Sequence, residues 1–180
     1  LEDLDQLILQ CAAGDTLGQE RLYRKFYPVL FLLCKRFFPD NHQALETLND
    51  GMLKVFRNIA RYNTEKGAFF NWIYTIILHT AINKCKAAPP ADTCDLAEAI
   101  GFSSGPNPFL ALEWKDIYLF LDTLAPATRI VCNLFYLEAF SIRDISTELH
   151  VSPGTVKWHL SETRKKLKPI LQRHYHIQPK

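Results

Sequence analysis

Lys157, Trp158, Ser161, Glu162, Arg164 and Lys165 crowd one short stretch near the C-terminal end of the chain. Their types suit recognition of a polyanion rather than the making or breaking of bonds. Ammonium and guanidinium groups neutralise phosphates, while hydroxyl, indole and carboxylate groups reach base edges, methyls and sugars. Local signals around them spell two helices and a tight turn. Ser141 followed by Asp144 is a capping-box pattern that opens the first helix, and Ile142, Ile145 and Leu149 give it one apolar face. His150-Val151-Ser152 interrupts the pattern. Ser152 caps the next helix, and Pro153 takes its first position, where no amide hydrogen is needed. Val156, Leu160, Thr163 and Leu167 form the buried stripe of this second helix, leaving the six residues above on its other faces. Trp158 lies about 200° around the helix from Val156, so it points outward, where an indole needs a partner. A packed helix followed by a cationic one is the helix-turn-helix arrangement, whose second helix enters the DNA major groove. A helical hairpin with a solvated lysine face would share the charges, but not the ordered caps or the outward indole.

Little else in the chain suits covalent chemistry. His42, His79, His150, His159, His174 and His176 form no spaced set with carboxylates or cysteines, and no glycine-rich phosphate loop is present. The five cysteines are scattered, with no CxxC and no Cys/His cluster. Neither a metal site nor a disulfide framework is expected, nor any cofactor, and the thiols read as those of a reduced cytoplasmic protein. Cys34 and Cys132 sit in apolar runs and are expected in cores. No signal peptide is visible, and the apolar stretch around Trp72 to Ile82 is too short to span a bilayer. The chain begins at Leu1, so an N-terminal segment is left open. The net charge of +2 hides an asymmetry: residues 141–180 carry 8 basic and 3 acidic side chains, residues 89–140 carry 2 and 7. A cationic end beyond an acidic middle calls for an anionic partner.

The elements that position these groups are helical throughout. Leu4, Leu7 and Ile8 start an amphipathic helix ending near Gly14. Leu22, Phe26, Leu30, Leu33 and Phe37 mark a longer one, with Pro28 as a kink or break. After the turn at Pro39-Asp40-Asn41, Leu45, Leu48, Met52, Val55 and Ile59 give a buried seam. Tyr62–Gly67 is a polar connection, and Phe69, Ile73, Ile76 and Thr80 carry a helix to about Lys86. Residues 89–111 hold four of the ten prolines and read as a flexible linker, with a short helical stretch around Leu96 to Ile100. From 112 onward the chain is helical again, with Glu113–Leu124, a helix opening at Pro126, and the two helices of the motif. No period-two pattern appears. The expected architecture is all-α: two small helical domains, 1–88 and 112–180, joined by that linker.

Taken together, the two halves resemble an extracytoplasmic-function sigma factor of the bacterial sigma-70 family. Residues 121–167, LDTLAPATRIVCNLFYLEAFSIRDISTELHVSPGTVKWHLSETRKKL, are similar to the family's region 4. Ala13-Gly14-Asp15, Tyr27-Pro28, LETLNDGMLKVF at 45–56 and GAFFNWIYTIILHTAINKCK at 67–86 are similar to region 2. The resemblance implies a dissociable initiation factor, without catalytic residues of its own, that recruits core RNA polymerase, recognises promoter DNA and nucleates melting of the −10 element. It implies an anti-sigma factor as a further partner. It assigns polymerase contact to the polar stripe Glu46, Asn49, Asp50, Leu53 and Arg57, with Asn49 in place of the usual glutamine. It assigns the −10 strand to Asn63, Lys66, Phe70, Tyr74, His79, Asn83, Lys84 and Lys86, and core packing to Phe69 and Trp72. Leu78 and His79 depart from the common basic-plus-asparagine pair, and Asn83 from a frequent aspartate. It assigns the −35 element to Thr155, Lys157, Trp158, Ser161, Glu162, Arg164 and Lys165. Arg164 and Lys165 are read as phosphate contacts, and Glu162 as a partner of Lys166 or of a cytosine. His150 replaces the common turn glycine, at a positive φ. A stand-alone helix-turn-helix regulator is the alternative, and the region 2 similarity argues against it.

Overall fold

The computed structural model describes residues 4–87 and 113–175. The chain divides into two compact units, Leu1–Ala87 and Ala88–Lys180. Among the described residues there are eight α-helices and no strand. The expected linker at 89–111 and its short helix near Leu96 lie outside the described residues.

The first unit contains α1 (Leu4–Ala12), α2 (Thr16–Phe37), α3 (Asn41–Asn58) and α4 (Phe69–Ala87). Its starts are written in side chains. Asp15 accepts from the Leu17 amide at 3.1 Å to open α2, and Asp40 accepts from the Gln43 amide at 2.8 Å to open α3. Each carboxylate satisfies an amide that the first helical turn would leave orphaned. Between α3 and α4 run two single 3₁₀ turns, Ile59–Arg61 and Thr64–Lys66. The second is closed at its far end by the Tyr62 hydroxyl, which donates to the Gly67 carbonyl at 3.0 Å. Gly67 sits at φ 131°, where a Cβ would be strained.

Two sequence expectations change here. Helix α2 passes through Pro28 without a break. Pro28 is exposed, so the carbonyl one turn back that loses its amide partner faces water, which offsets the loss. Leu45 is 37% exposed rather than part of the seam. The buried face of α3 is Ala44, Thr47, Leu48, Gly51, Met52, Val55, with Ile59 just beyond. Small residues form its centre because α4 comes very close. A Cβ on Gly51 would stand 2.4 Å from Ile77 Cδ1 and 3.4 Å from Ile77 Cα. The Cδ1 methyl could rotate away for a methyl group, but not for a larger side chain. Gly51→Leu is therefore expected to lower the unfolding free energy by about 1–3 kcal/mol through overpacking. Gly51→Ala is expected to stay within about 1 kcal/mol, helix propensity offsetting the shift. Urea unfolding of the two variants checks the ordering; equal stability would mean the helices separate freely.

The second unit contains α5 (Trp114–Asp122), α6 (Pro126–Cys132), a π-helical turn (Asn133–Leu137), α7 (Ile142–Leu149) and α8 (Pro153–Tyr175). Its core is Ile117, Phe120, Leu121, Val131, Cys132, Leu134, Ile145, Val156, Leu160 and Leu167. Burying each Leu or Ile stabilises the unit by roughly 1.5–3 kcal/mol. Thr163, expected on that stripe, is fully buried and returns its hydroxyl to the His159 carbonyl at 2.9 Å. Arg129 is also buried, with its guanidinium 2.7 Å from the half-exposed Asp122. Burial pushes the thiols of Cys34 and Cys132 up to about 12. Both are therefore inert apolar core groups at neutral pH.

Candidate nucleic-acid and polymerase interface

The helix-turn-helix is assembled from local bonds. Ser141 Oγ accepts from the Asp144 amide at 3.1 Å, and Asp144 Oδ2 accepts from the Ser141 amide at 3.1 Å, the reciprocal pair foreseen in the sequence. The Ser141 hydroxyl beside Asp144 holds that carboxyl below its ordinary value. The box is thus complete at neutral pH, and its contribution fades only as pH falls through that lowered value. His150 closes α7 in the left-handed conformation, φ 55° and ψ 40°. Ser146 Oγ then donates to the Val151 carbonyl at 2.6 Å, and Ser152 Oγ accepts from the Thr155 amide at 3.0 Å, opening α8. His150→Gly removes the Cβ penalty of that conformation. It is expected to stabilise this unit by up to about 1 kcal/mol, read as a higher urea midpoint.

On α8 the predicted residues separate into two sets. Lys157 is exposed, and Thr155, Trp158 and Ser161 are half-buried along the first half of the helix. Trp158 stands edge-on to His159, ring centres 4.8 Å apart. His159 is in turn fixed to the Thr128 hydroxyl at 2.9 Å. Burial pulls the His159 imidazole below its ordinary value, Glu162 partly opposing, so the ring is a neutral brace for the indole. The second set is engaged with the protein. Arg164 Nε donates to the Tyr136 hydroxyl at 2.8 Å, tying α8 to the π-helical turn. Glu162 pairs with Lys165 at 2.7 Å, one residue nearer than the expected Lys166, which donates to the Thr123 carbonyl at 3.1 Å.

In the first unit the stripe Glu46, Asn49, Asp50, Leu53 and Arg57 is exposed along α3. Two neighbours hold it. The Tyr23 hydroxyl donates to Asn49 Oδ1 at 2.8 Å, and the Lys84 ammonium lies 2.9 Å from Glu46 and 3.4 Å from Asp50. Hydrogen bonding from Lys84 lowers the Glu46 pKa. Burial opposes the charge on Lys84, yet the bonds to Glu46 and Asp50 outweigh it and its pKa is raised.

Next to this stripe is a cleft of about 420 Å³ between the end of α3 and one face of α4. Lys54, Asn58 and Arg61 form one wall; Trp72, Thr75, His79 and Asn83 form the other, over Ile76 and Thr80. Its lining has two full cations and no carboxylate. The residues assigned in the sequence to the −10 strand do not all meet there. His79 and Asn83 line the cleft, while Asn63 and Lys66 lie on the adjacent 3₁₀ turn, where Asn63 Oδ1 accepts from the Glu65 amide at 2.8 Å. Phe70 and Tyr74 turn toward α2. Phe70 is 6.1 Å from Phe26, and the Tyr74 hydroxyl accepts from the buried Arg36 at 2.6 Å. Lys84 faces the α3 carboxylates, and Lys86 is exposed near the end of α4. Phe69 is buried as expected, whereas Trp72 is half-buried, packing on Tyr62 and Phe69 at 5.6 Å while lining the cleft. Leu78 is 6% exposed, so a core position stands where a basic residue is common. Sequence reasoning missed Lys54, Asn58, Arg61 and Thr75. Each looks like an ordinary exposed helix residue until the two helices are brought together.

Among the described residues no group of three or more His, Cys, Asp or Glu is placed to hold a metal ion. Among the same residues no helix is long and apolar enough to cross a membrane.

Residues 22–88 match the Sigma-70 region 2 family model and residues 114–167 match that of Sigma-70, region 4, together about two thirds of the chain. The chain is 23% identical over 184 residues to the RNA polymerase sigma-H factor of Pseudomonas aeruginosa, covering 95% of each. It is 24% identical over 187 residues to the ECF RNA polymerase sigma-E factor of Escherichia coli, covering 94% of this chain and 97% of that one. A solved structure of CnrH in complex with the cytosolic domain of CnrY aligns over 93% of this chain and 96% of that one, with TM-score 0.46 and 16% identity.

Proposed function

The chain belongs to the sigma-70 family and is an RNA polymerase sigma factor of the extracytoplasmic-function type, and on that premise we propose how its two units divide the work of initiation. The leading unit docks on core polymerase through Glu46, Asn49, Asp50, Leu53 and Arg57. It holds the opened −10 strand at the cleft and the neighbouring 3₁₀ turn. The trailing unit reads the −35 element through Thr155, Lys157, Trp158 and Ser161, with Lys165 on the backbone. Arg164 keeps the recognition helix in place through Tyr136. The factor supplies binding free energy and no bond chemistry, so it is not an enzyme and needs no metal or cofactor. It acts in the cytoplasm, where polymerase and DNA are. An anti-sigma partner is carried over on family membership alone.

The observation that carries this reading is the cation-lined cleft with Trp72 on its rim. Opening a duplex without ATP requires that unstacking, a few kcal/mol per base, be offset by binding. Stacking on an aromatic ring returns about 1–3 kcal/mol per base, and Lys54 and Arg61 are placed to follow the strand's phosphates. The test is run-off transcription from fragmented genomic DNA with bacterial core polymerase, with and without the protein. Discrete new transcripts sharing two spaced upstream elements are expected. Duplex binding by the protein alone with no new transcript would instead mean a stand-alone regulator.

A further inference from the structure

Lys84 ties α4 to the carboxylates of α3. It lies on α4, among residues assigned to the DNA backbone, yet its ammonium is bonded to Glu46 and Asp50, the two acids of the polymerase-facing stripe. The pairing bridges 34 residues of sequence between Asp50 and Lys84 and joins two helices, so it is a tertiary contact rather than a local helix pair. The exposures are unequal: both carboxylates are 54% exposed and the lysine side chain 27%. The acids can therefore be taken by an incoming cationic surface while Lys84 keeps its stem packed. One ammonium cannot serve two carboxylates and a phosphate at full strength together, because each contact draws on the same three donors and the same charge.

We propose that Lys84 links polymerase docking to DNA binding. In the free protein the α3 acids hold its charge. When a cationic polymerase surface engages Glu46 and Asp50, the ammonium is freed for the phosphates of the promoter strand. The proposal rests on the assignment of the stripe to polymerase made above. Linkage makes the effect reciprocal: DNA that takes Lys84 leaves the two acids more available to polymerase. Exposed ion pairs are individually weak, so the coupling is a roughly two- to fivefold effect on each affinity, not an on-off switch.

A thermodynamic cycle on the whole 180-residue chain tests this. Binding of a short fluorescein-labelled oligothymidylate is titrated without polymerase for four proteins: the parent, Glu46→Gln/Asp50→Asn, Lys84→Met and the triple variant. Methionine keeps the aliphatic stem, and thermal unfolding checks that each variant is folded. Neutralising the acids is expected to tighten binding roughly two- to fivefold more with Lys84 present than in the Lys84→Met background. The salt slope should steepen by about 0.7, the value of one added single-strand phosphate contact. Affinity for core polymerase is measured alongside, and Lys84→Met is expected to bind as tightly as the parent or severalfold more tightly, because a competitor for the acids is gone. Equal gains in the two backgrounds would show a general charge effect and overturn the proposal. Weaker polymerase binding by Lys84→Met would overturn it in favour of a plain brace. If Glu46→Gln/Asp50→Asn leaves polymerase affinity unchanged, the stripe assignment itself has failed and the coupling falls with it.

Discussion

A chain carrying Glu46→Lys and Asp50→Lys is expected to bind core RNA polymerase at least about 100-fold more weakly than the parent while remaining folded. Both carboxylates are half-exposed on α3, and neither contributes to the buried face formed by Ala44, Leu48, Gly51, Met52 and Val55. Charge reversal at an interface places like charges together, which costs several kcal/mol, and each 1.4 kcal/mol is tenfold in affinity. The reversal also sets two ammonium groups beside Lys84, so a small fall in melting temperature is expected from broken pairing and exposed repulsion. That fall is a surface effect and should be nearly erased by high salt, whereas the loss of polymerase binding should persist at moderate salt. Equilibrium binding of labelled core polymerase, paired with thermal unfolding at two salt concentrations, separates the two effects. A polymerase affinity within threefold of the parent would remove Glu46 and Asp50 from the interface.

How far the sequence revealed these features followed the distance over which each was determined. The helix-turn-helix was legible because its signals are local. The Ser141–Asp144 box and the Ser152 cap fall within one turn of the amides they satisfy, and the stripe Val156, Leu160, Thr163 and Leu167 repeats along a single helix. His150 in the left-handed conformation was foreseeable for the same reason, since the chain between two helices three residues apart must reverse there. Helix identities in the first unit were legible from periodicity, but its faces were only partly so. Leu45 matches the apolar period and is exposed, while Thr47 and Gly51, which no hydrophobic pattern selects, lie on the buried face of α3, Gly51 directly against Ile77 of α4. Close approach selects small residues, and hydrophobicity scales do not reward them.

The cleft and the Lys84 cluster were illegible for a deeper reason. Their members come from α3, the 3₁₀ turn that follows it and α4, about 10–40 residues apart, and Lys54, Asn58, Arg61 and Thr75 each read alone as solvated surface residues. Arg164 shows the same limit. Its place in a cationic run suggests a phosphate contact, and nothing in that run reveals that Tyr136, 28 residues earlier, accepts from its Nε, a bond that uses one of the five guanidinium N–H donors. Charge composition along a helix tells which residues can reach outward, and tertiary packing decides which of them are already held. On α8 that decision leaves Thr155, Lys157, Trp158 and Ser161, together with the exposed Lys165 beside Glu162, as the outward set, with Trp158 steadied by a neutral His159 rather than by an ion pair.

Replacing the indole of the cleft tests the first unit in the same terms. Trp72→Ala is expected to slow open-complex formation by about 10- to 100-fold, the loss of one stacked base, with polymerase affinity unchanged. The difficulty is that Trp72 also packs on Tyr62 and Phe69 at 5.6 Å, so truncation loosens a ring cluster as well as emptying a wall. Phe69 supplies the control, because it belongs to the same cluster but is 3% exposed and cannot touch a strand in the cleft. Phe69→Leu should lower thermal stability at least as much as Trp72→Ala does, yet leave melting within a few fold of the parent. Lys54→Ala/Arg61→Ala should slow melting by a different route, reducing the salt slope by about 0.7 for each phosphate no longer neutralised while leaving the rings intact. Permanganate reactivity of unpaired thymines, followed in time on one promoter at several salt concentrations, measures all three. Matching losses for Trp72→Ala and Phe69→Leu at equal stability would make the tryptophan a packing residue and leave the cleft without its stacking wall.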